Sequence, residues 1–480
     1  MGRQIIIGRE KEMARLQHCM ESTRSELVIV YGRRRVGKTF LVDQFFNGKF
    51  DFTFVGGHNL SQRIQLQNFA KALRQATDAT SSLTFKNWFE AFDALENHLE
   101  SLPTNRKKVV FIDEMPWIDS IRSSFTSAFE NFWNSWAARR NDIVFIASGS
   151  ATSWMVDKLV ENQGGLHARI TQHIYLRPFT LHETEEYLKS QGCDWDRFQI
   201  AQCYMFFGGI PFYLSLIDPK QSITQNVDML CFERGGALSL EFDELYNALF
   251  THADYYISIV RLLAEHRSGM TAKQIADESR IDGKQLKRVL TNLERCDFIM
   301  RFQYYGKKSR DRLFKLTDFY TLFYLKYIEP NKDAHDDSWW SRHFDSRSVE
   351  SWQGLTFELL CLMHIDQIRS ALGIAGVSTD VAAWYDTADR SKAHRGSQID
   401  LIIERADRII HLCEMKFSQD KYRLNADYVM KLRERMGLFR DKTGTRKALV
   451  HTFVTTFGLS NANSSSLVHS EVLLDDLFMK

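Results

Sequence analysis

Three charged residues lie in two predicted strands near the end of the chain, at positions where a buried hairpin would have apolar side chains. The segment QIDLIIERADRIIHLCEMKF, residues 398–417, contains two apolar runs around a charged turn at 406–408. With this turn, the numbers of facing residues sum to 814, so Asp400 faces Glu414 and Lys416 lies on the same face of the hairpin. Facing side chains of an antiparallel pair are about 5 Å apart.

Two carboxylates at that separation repel each other unless a cation lies between them. Oxygen ligands suit Mg²⁺ or Mn²⁺, which would activate a water molecule, and Lys416 would orient the water or stabilise the charge on a phosphate. The alternative is a surface cluster of ion pairs, which contributes little free energy. The spacing therefore predicts either a metal site that cuts nucleic acid or a solvated hairpin face.

The other end of the chain contains a predicted phosphate-binding loop. Residues 26–31, ELVIVY, suit a buried parallel strand, and they are followed by GRRRVGKT and an apolar helical segment. In the strand–GxxxxGK[ST]–helix context, backbone N–H groups and the helix N-terminus bind phosphates. We expect Lys38 to contact the β- and γ-phosphates of ATP and Thr39 to bind Mg²⁺. The predicted nucleotide-binding residues of the loop are Gly32, Arg33, Arg34, Arg35, Val36, Gly37, Lys38, Thr39 and Phe40.

Two further apolar runs end in polar residues. In KKVVFIDEMPW, the apolar run is followed by Asp113 and Glu114. Asp113 is predicted to hold Mg²⁺, and Glu114 is predicted to act as the general base that polarises the attacking water. NDIVFIASGSATSWM supplies Ser148 or Ser150 for a hydrogen bond to the γ-phosphate or the water, unless this is an ordinary strand-to-helix turn. Strands that alternate with helices predict a parallel sheet with its site at the carboxyl ends of the strands.

Seven segments in order resemble the prokaryotic, mainly archaeal, ATPases related to AAA+ and STAND proteins. The resemblance covers about residues 1–330 and rests on GREKEMARL (8–16), the phosphate loop, FIDEMPW, IASGS, GGLHARI (164–170), YLRPFTLHE (175–183) and GGIPFYL (208–214).

The resemblance implies roles for three other parts of the sequence. Gly8, Arg9 and Glu10 would lie near the adenine, and Pro211 would belong to a helical-lid turn that touches the base. Arg169 would act on the γ-phosphate, in the same or a neighbouring subunit. Ala168-Arg169 replaces the more usual Gly-Arg, and a surface salt bridge is the alternative role for Arg169.

The middle of the chain has the pattern of a winged helix. Thr271 and Asp282 are predicted to cap two helices, and two strand-like runs follow around GKKSRD. Residues 270–315 contain twelve Lys and Arg against six Asp and Glu, a surplus of six. This surplus suits phosphate contacts with DNA, and a protein-docking module is the alternative. The predicted DNA-binding residues are Lys284, Lys287, Arg288, Lys307, Lys308 and Arg310.

The spacing D–x13–E–x–K of the opening hairpin is that of the PD-(D/E)XK nucleases, which residues 350–480 resemble. The resemblance implies that SWQGLTFELLCLMHI is the first helix and that Glu358 completes the metal site with Asp400 and Glu414. Ile399 replaces the usual proline before the aspartate. A later helix offers Lys431 and Arg433 as weak phosphate contacts. A retained but inactive fold is the alternative.

The predicted fold class is α/β. The expected division is a P-loop ATPase core (1–180), a helical lid (181–250), a winged helix (251–328), a linker (329–349) and a restriction-endonuclease-like α/β domain (350–480). The chain has 480 residues, a net charge of +2 and seven scattered cysteines. It contains no apolar run near the ~20 residues that span a bilayer. These properties favour a cytoplasmic protein that does not act on membranes.

The leading hypothesis is an ATP-hydrolysing protein that acts on DNA through a Mg²⁺-dependent nuclease-like domain, with Mn²⁺ as an alternative metal. A role in defence against foreign DNA is inferred from the domain combination alone. The second hypothesis is a STAND-like ATP-dependent regulatory switch whose C-terminal domain binds nucleic acid or protein without cutting. A third is a protein-remodelling ATPase. A homo-oligomer or a protein partner is left open.

Overall fold

The computed structural model describes residues 5–77, 83–120, 123–150, 152–160, 165–166, 169–306, 312–333, 336–386, 397–460 and 467–480. The chain divides into two compact units, Met1–Pro178 and Phe179–Lys480. The two strand-rich ends of the sequence therefore belong to different units. No helix in the described ranges is long and apolar enough to cross a membrane.

The first unit is built around a parallel five-stranded sheet. Its strands are β1 (Glu26–Tyr31), β2 (Phe52–Val55), β3 (Lys108–Asp113), β4 (Ile143–Gly149) and β5 (Gln172–Tyr175). They run side by side in the order β2–β3–β4–β1–β5. Strands β3 and β4 are buried along their whole length, as expected for central parallel strands covered on both faces. The predicted parallel sheet is confirmed, and the carboxyl ends of β1, β3 and β4 meet at one edge.

Helices of the first unit cover this sheet. They are α1 (Glu10–Glu21), α2 (Lys38–Phe46), α3 (Gln62–Thr77), α4 (Trp88–Ser101), α5 (Phe125–Asn131) and α6 (Thr152–Met155). Fully buried Trp88 illustrates the packing, since its ring centroid lies 5.6 Å from that of Phe69 and 5.0 Å from that of Phe125. Burying one large apolar side chain contributes about 1.5–3 kcal/mol, so this aromatic layer holds the helices on the strands.

The second unit begins with helices and a small antiparallel sheet. The helices are α7 (Leu181–Ser190), α8 (Arg197–Phe207), α9 (Pro211–Leu214), α10 (Ile223–Val227), α11 (Glu241–Leu249), α12 (Ala253–Glu265), α13 (Ala272–Ser279) and α14 (Gly283–Arg295). The strands β6 (Met270–Thr271), β7 (Ile299–Phe302) and β8 (Leu313–Leu316) pair in the order β6–β8–β7. The caps predicted at Thr271 and Asp282 are confirmed, because both side chains accept hydrogen bonds from the first turn of their helices.

The segment predicted as a linker is largely helical. It contains α16 (Glu329–Asn331) and α17 (Trp339–His343), and α15 (Phe319–Phe323) precedes it. Trp340 is 1% exposed and packs against Phe206 and Phe323, and its backbone N–H donates to Asp228. The Trp pair thus packs the described part of 329–349 against other helices of the second unit, and its role as a linker between domains stays a prediction.

The last part of the second unit is a mixed five-stranded sheet with helices. It comprises α18 (Arg347–Met363), α19 (Ile365–Ala371), β9 (Thr379–Asp386), β10 (Ser397–Arg405), β11 (Ile409–Lys416), α20 (Ala426–Thr443), β12 (Ala448–Thr455) and β13 (Val468–Leu473). The order is β13–β12–β11–β10–β9. Strands β9, β10 and β11 pair antiparallel, whereas β11, β12 and β13 pair parallel.

Candidate functional site

The phosphate loop follows β1 and depends on two glycines. Gly37 has φ +88°, a left-handed conformation that other residues adopt only with strain. A Cβ atom on Gly32 would lie 2.3 Å from the carbonyl oxygen of Leu176, which forbids any side chain there. Val36 is buried, whereas Phe40 is exposed. The loop between β1 and α2 therefore has the close-packed backbone that a phosphate cradle requires.

Lys38 and Thr39 start α2 beside this cradle. The buried Lys38 Nζ donates hydrogen bonds to the carbonyl oxygens of Gly32 (3.1 Å) and Arg33 (2.9 Å). The Thr39 hydroxyl donates to Asp113 Oδ2 at 2.6 Å. An ammonium group and a hydroxyl group thus face the loop and the end of β3, as the predicted phosphate and Mg²⁺ contacts require.

The ends of β3 and β4 bring the predicted carboxylates and serines together. Ser148 Oγ donates to Asp113 Oδ1, so Asp113 is bonded by both Thr39 and Ser148. The Glu114 carboxylate accepts from the backbone N–H (3.0 Å) and hydroxyl (2.8 Å) of Ser150. These hydroxyl and carboxylate oxygens fit a hydrated Mg²⁺ beside the phosphate loop.

Asp43 is an acidic neighbour of this cluster that sequence patterns did not single out. It lies one turn after Thr39 on α2, and burial together with the Asp113 carboxylate raises the pKa of Asp43. Its i, i+4 relation to Thr39 was a usable signal, because such residues share one face of a helix. The raised pKa follows first from burial and then from the negative charge of Asp113, and a cation at the site would lower it.

The opening segment also lies near the phosphate loop. Gly8 and Arg9 both have positive φ, and the Arg9 guanidinium donates to the carbonyl oxygen of Arg177 at 2.7 Å. Leu176, the residue before Arg177, packs against Gly32. Glu10 begins α1. Arg9, one of the residues predicted near the adenine, therefore contacts the segment Leu176–Arg177, which lies against Gly32 at the start of the phosphate loop.

Arg169 is not brought to the phosphate loop of its own chain. It precedes β5, and Thr171 donates its N–H to Leu27, near the beginning of β1. The loop follows the opposite end of β1, about 16 Å away at 3.3 Å per residue. Arg169 is exposed, and its action on a γ-phosphate, in the same or a neighbouring subunit, stays a prediction. Pro211 begins α9 in the second unit.

In the second unit, the predicted hairpin register is confirmed. The pairs Leu401–Cys413, Ile402–Leu412 and Ile403–His411 all sum to 814, and the turn includes Arg408 at φ +73°. The observed pairs end at Leu401–Cys413, one position before Asp400 and Glu414, and the pairing of β10 with β9 is irregular between Ile399 and Ile402. The sequence pattern identified this register because the apolar residues of both strands face a buried core.

One cavity of about 460 Å³ joins the predicted residues of this region. It is lined by Glu358 from α18, Asp400 from β10 and Glu414 with Lys416 from β11. Burial, and then the Asp400 carboxylate, raise the pKa of Glu358 to about 7. Two acidic groups therefore face each other across a partly dehydrated space.

Glu414 has basic and phenolic partners. Its carboxylate accepts hydrogen bonds from Arg435 and from Tyr428 (2.5 Å), and Lys416 Nζ lies 3.5 Å away. Burial lowers the pKa of Lys416, but Glu414 and Tyr428 outweigh this effect and the net pKa is raised. Within the described ranges, no three His, Cys, Asp or Glu side chains converge closely enough to hold a metal ion.

Two residues of this cavity were not predicted. Tyr428 and Arg435 lie on α20, whereas the weak sequence candidates Lys431 and Arg433 are exposed. The signal that could have found them is their separation of seven residues, two helical turns, which puts both on one face. Which face of α20 packs on β11 is a tertiary property, and the sequence pattern alone left it open.

The predicted DNA-binding residues of α14 lie on the surface. Lys284, Lys287 and Arg288 are exposed, on the side opposite buried Leu286 and Val289. The predicted contacts Lys307, Lys308 and Arg310 lie outside the described residues. The exposed face of α14 is therefore a row of cationic side chains available for phosphate contacts.

Comparisons with known proteins agree with the nucleotide site. An uncharacterised protein of Methanocaldococcus jannaschii is 22% identical over 402 residues, which cover 83% of this chain and 84% of that protein. An uncharacterised ATP-binding protein of the same organism is 38% identical over 45 residues, which cover 9% of this chain and 76% of that protein.

Many solved structures also align with this chain, including the following two. A Walker-type ATPase of Pyrococcus abyssi aligns with a TM-score of 0.47 and 19% identity, over 67% of this chain and 96% of that one. The ORC2 protein of Aeropyrum pernix aligns with a TM-score of 0.44 and 14% identity, over 70% of this chain and 97% of that one.

A family model described as an ATPase domain predominantly from Archaea matches residues 6–217. This range contains the phosphate loop, Asp113, Glu114 and both serines. The chain therefore carries an ATP-binding P-loop ATPase domain of the predominantly archaeal type.

Proposed function

We propose that the chain couples ATP hydrolysis in its first unit to action on DNA in its second, where the C-terminal part is a metal-dependent PD-(D/E)XK nuclease-like domain. The observation that carries this proposal is the cavity of about 460 Å³ lined by Glu358, Asp400, Glu414 and Lys416. These four residues come from one helix and two strands. The sequence motif contains Asp400, Glu414 and Lys416, and the family resemblance adds Glu358.

In the ATPase unit, each residue at the sheet edge has a distinct task. Lys38 is placed to exchange its carbonyl partners for phosphate oxygens, which are stronger acceptors because they are charged. Thr39 and Asp113 would hold Mg²⁺, which neutralises phosphate charge when bound. Ser150 orients the Glu114 carboxylate, which takes a proton from the attacking water. Ser148 fixes the rotamer of Asp113.

The order of elements supports a nuclease-like assignment of the C-terminal part. A helix, α18, precedes the antiparallel strands β9, β10 and β11, and α20 then crosses to the parallel strand β12. This mixed sheet places the ends of β10 and β11 beside α18. It is the α/β arrangement that the PD-(D/E)XK resemblance implies.

Glu358 and Asp400 are the donors that best fit a divalent metal. Both supply oxygen ligands, and burial together with the Asp400 carboxylate raises the pKa of Glu358 in spite of the opposing charges of Lys315 and Lys416. Bound there, a metal would activate water and neutralise charge on the scissile phosphate. Glu414 fits less well, because Arg435 and Tyr428 occupy its carboxylate oxygens. Lys416 would stabilise phosphate charge beside them.

The basic middle segment supports contact with DNA. Helices α12, α13 and α14 with strands β6, β7 and β8 have the order of a winged helix. The exposed Lys284, Lys287 and Arg288 lie on its second motif helix, the element that enters the major groove in such folds.

Cleavage of DNA tests the proposal. Supercoiled plasmid and linear single-stranded DNA are incubated with the full chain in Mg²⁺ or Mn²⁺, with and without ATP. Asp400→Ala and Lys416→Ala should lose at least about 100-fold of the cleavage rate, because the metal supplies several kcal/mol. Asp420→Asn, which changes an exposed acid in the next loop, is the matched control. Equal cleavage by all variants, or none by wild type, contradicts the nuclease assignment.

The ion-paired state of Glu414 favours a second function, an ATP-dependent switch whose C-terminal domain binds without cutting. An Arg435–Glu414 pair neutralises one of the three carboxylates. DNA binding that persists in wild type and Lys416→Ala without any cleavage would support this function over the first.

A further inference from the structure

A second cavity connects the carboxylates to the basic middle segment. It has a volume of about 400 Å³ and is lined by Glu358 and Asp400 on one side. Arg267, which follows α12, and Lys315, in the middle of β8, line it as well, together with Glu265 and His266. The proposed metal-binding carboxylates therefore share a space with two cations from a different part of the fold.

Backbone pairing holds these two parts together. After β7, the carbonyl oxygen of Gln303 accepts from Ala383 N–H (3.0 Å), and Tyr305 N–H donates to the Ala383 carbonyl oxygen (2.8 Å). Ala383 lies on β9, the edge strand of the five-stranded sheet. The hairpin thus covers an edge that would otherwise be open.

Side chains reinforce this contact. The Tyr305 ring lies 5.0 Å from the Phe439 ring of α20, and its hydroxyl donates to Glu404 at 3.2 Å. Buried aromatic pairs add about 0.5–1.5 kcal/mol to the area they bury. The strand that carries Lys315 is paired to β7 and is therefore held beside the carboxylates by both backbone and side-chain contacts.

Burial disfavours the charged forms of both cations in this cavity. Burial lowers the pKa of Lys315, and the carboxylates of Asp400 and Glu358 only partly offset this effect. Burial likewise lowers the pKa of Arg267. Both cations would gain from an additional anionic partner, which a bound phosphate supplies.

We propose that Lys315 and Arg267 form the phosphate-binding side of the carboxylate site, so that a DNA strand is held between the basic middle segment and the C-terminal sheet. This inference rests on the proposed function, because the DNA strand is the substrate assigned there. Both are positioning residues: they hold the backbone beside Glu358 and Asp400, and they take no part in proton transfer.

Two affinities measured on the full chain test this assignment. The first is binding of a short fluorescein-labelled duplex in Ca²⁺, by anisotropy across a series of NaCl concentrations. Lys315→Ala and Arg267→Ala should each weaken binding about tenfold and reduce the salt slope by about one, whereas Lys315→Arg should retain most of the affinity. Lys220→Ala, which removes an exposed lysine elsewhere in the second unit, is the control.

The second affinity is that for Mn²⁺ in the absence of DNA, measured by calorimetry. Asp400→Ala reports the Mn²⁺ that binds elsewhere in the chain, and this signal is subtracted. Removing a positive charge near the carboxylates should raise the Mn²⁺ affinity several-fold, because like charges then repel less. DNA affinity and metal affinity should therefore change in opposite directions. A role in structural support alone would lower both and reduce the melting temperature.

The outcomes separate the inference from the proposed function. Suppose that wild type cleaves DNA and that cleavage requires Asp400. If Lys315→Ala and Arg267→Ala then bind DNA as tightly as the control Lys220→Ala, only the inference is overturned. A fall of both affinities together with lost stability also overturns it. If wild type binds no DNA, the proposed function and the inference fail together.

Discussion

Lys38 is the residue on which nucleotide affinity depends most directly. Its ammonium group is buried, and the loop carbonyl oxygens of Gly32 and Arg33 that accept hydrogen bonds from it are neutral. A phosphate oxygen carries charge and makes a hydrogen bond roughly twice as strong as a neutral one. Lys38 is therefore arranged to gain more from the bound nucleotide than it loses from the loop.

Replacing Lys38 with alanine should weaken ATP binding by at least about 100-fold, on the order of 3 kcal/mol for a buried charged contact. Calorimetric titration with ATP and Mg²⁺ measures the change, and Lys49→Ala, a residue beyond α2, serves as control. Unchanged affinity of Lys38→Ala would rule out the phosphate-loop assignment.

Glu114 governs turnover and should matter little for binding. Glu114→Gln keeps the size and one hydrogen-bond acceptor for Ser150 but removes the base, so turnover should fall by about 10²–10⁴-fold with ATP affinity retained. Steady-state phosphate release and calorimetry separate the two effects. Asp93→Asn, an exposed acid on α4, should match wild type. Wild-type turnover by Glu114→Gln would exclude Glu114 as the base.

The sequence predicts those features of helices and strands that depend on residues close together along the chain. The strand before Gly32, the caps Thr271 and Asp282 and the hairpin register follow from local patterns, and all are confirmed. Contacts between distant elements were not predictable. The pairing of Glu414 with Arg435 needs the orientation of α20, which no local pattern specifies.

His364, at the turn between α18 and α19, predicts how the stability of the fold changes with pH. His364 is 2% exposed, accepts the Leu181 N–H at Nε2 (3.0 Å) and lies 2.9 Å from the Leu360 carbonyl at Nδ1. Burial lowers the pKa of His364 from 6.5 to about 4. Between these values the unfolded chain binds the proton and the folded chain does not, so stability is present above pH 6.5 and is lost as the pH falls towards 4.

His364→Gln can retain the acceptor for Leu181 and removes the titration. The loss of unfolding free energy between pH 6.5 and 4 should therefore be smaller in the variant by up to about 3 kcal/mol. Urea unfolding of the second unit, followed by tryptophan fluorescence at several pH values, measures it. His411 has a similarly lowered pKa and titrates in both proteins, so the comparison uses the difference. Identical pH profiles would contradict this assignment.

At the scale of the whole molecule, Arg169 raises the question of assembly. It lies two residues before Thr171, whose N–H donates to Leu27 near the start of β1, whereas the phosphate loop follows the end of β1. The family resemblance implies action on the γ-phosphate in the same or a neighbouring subunit, and a surface salt bridge is the alternative. A surface arginine would contribute little, since exposed ion pairs are worth about 0–1 kcal/mol.

Mixing two inactive variants distinguishes these roles. If Arg169 acts on a neighbour, Arg169→Ala and Glu114→Gln should each be inactive alone and regain part of the turnover when mixed. In a mixed oligomer, the Arg169 of a Glu114→Gln subunit lies beside the intact Glu114 of an Arg169→Ala subunit. Phosphate release measured against the mixing ratio reports this recovery. Full activity of Arg169→Ala alone would assign it to the surface.

The position of a bound metal tests most directly the proposal that Glu358 and Asp400 form a metal site that acts on DNA. Anomalous diffraction from crystals of the full chain grown with Mn²⁺ and a short DNA duplex would locate the metal directly. We predict Mn²⁺ density in the cavity against Asp400, present in wild type and absent from Asp400→Ala. Mn²⁺ confined to the phosphate loop, with no metal at Asp400 in either protein, would contradict the claim.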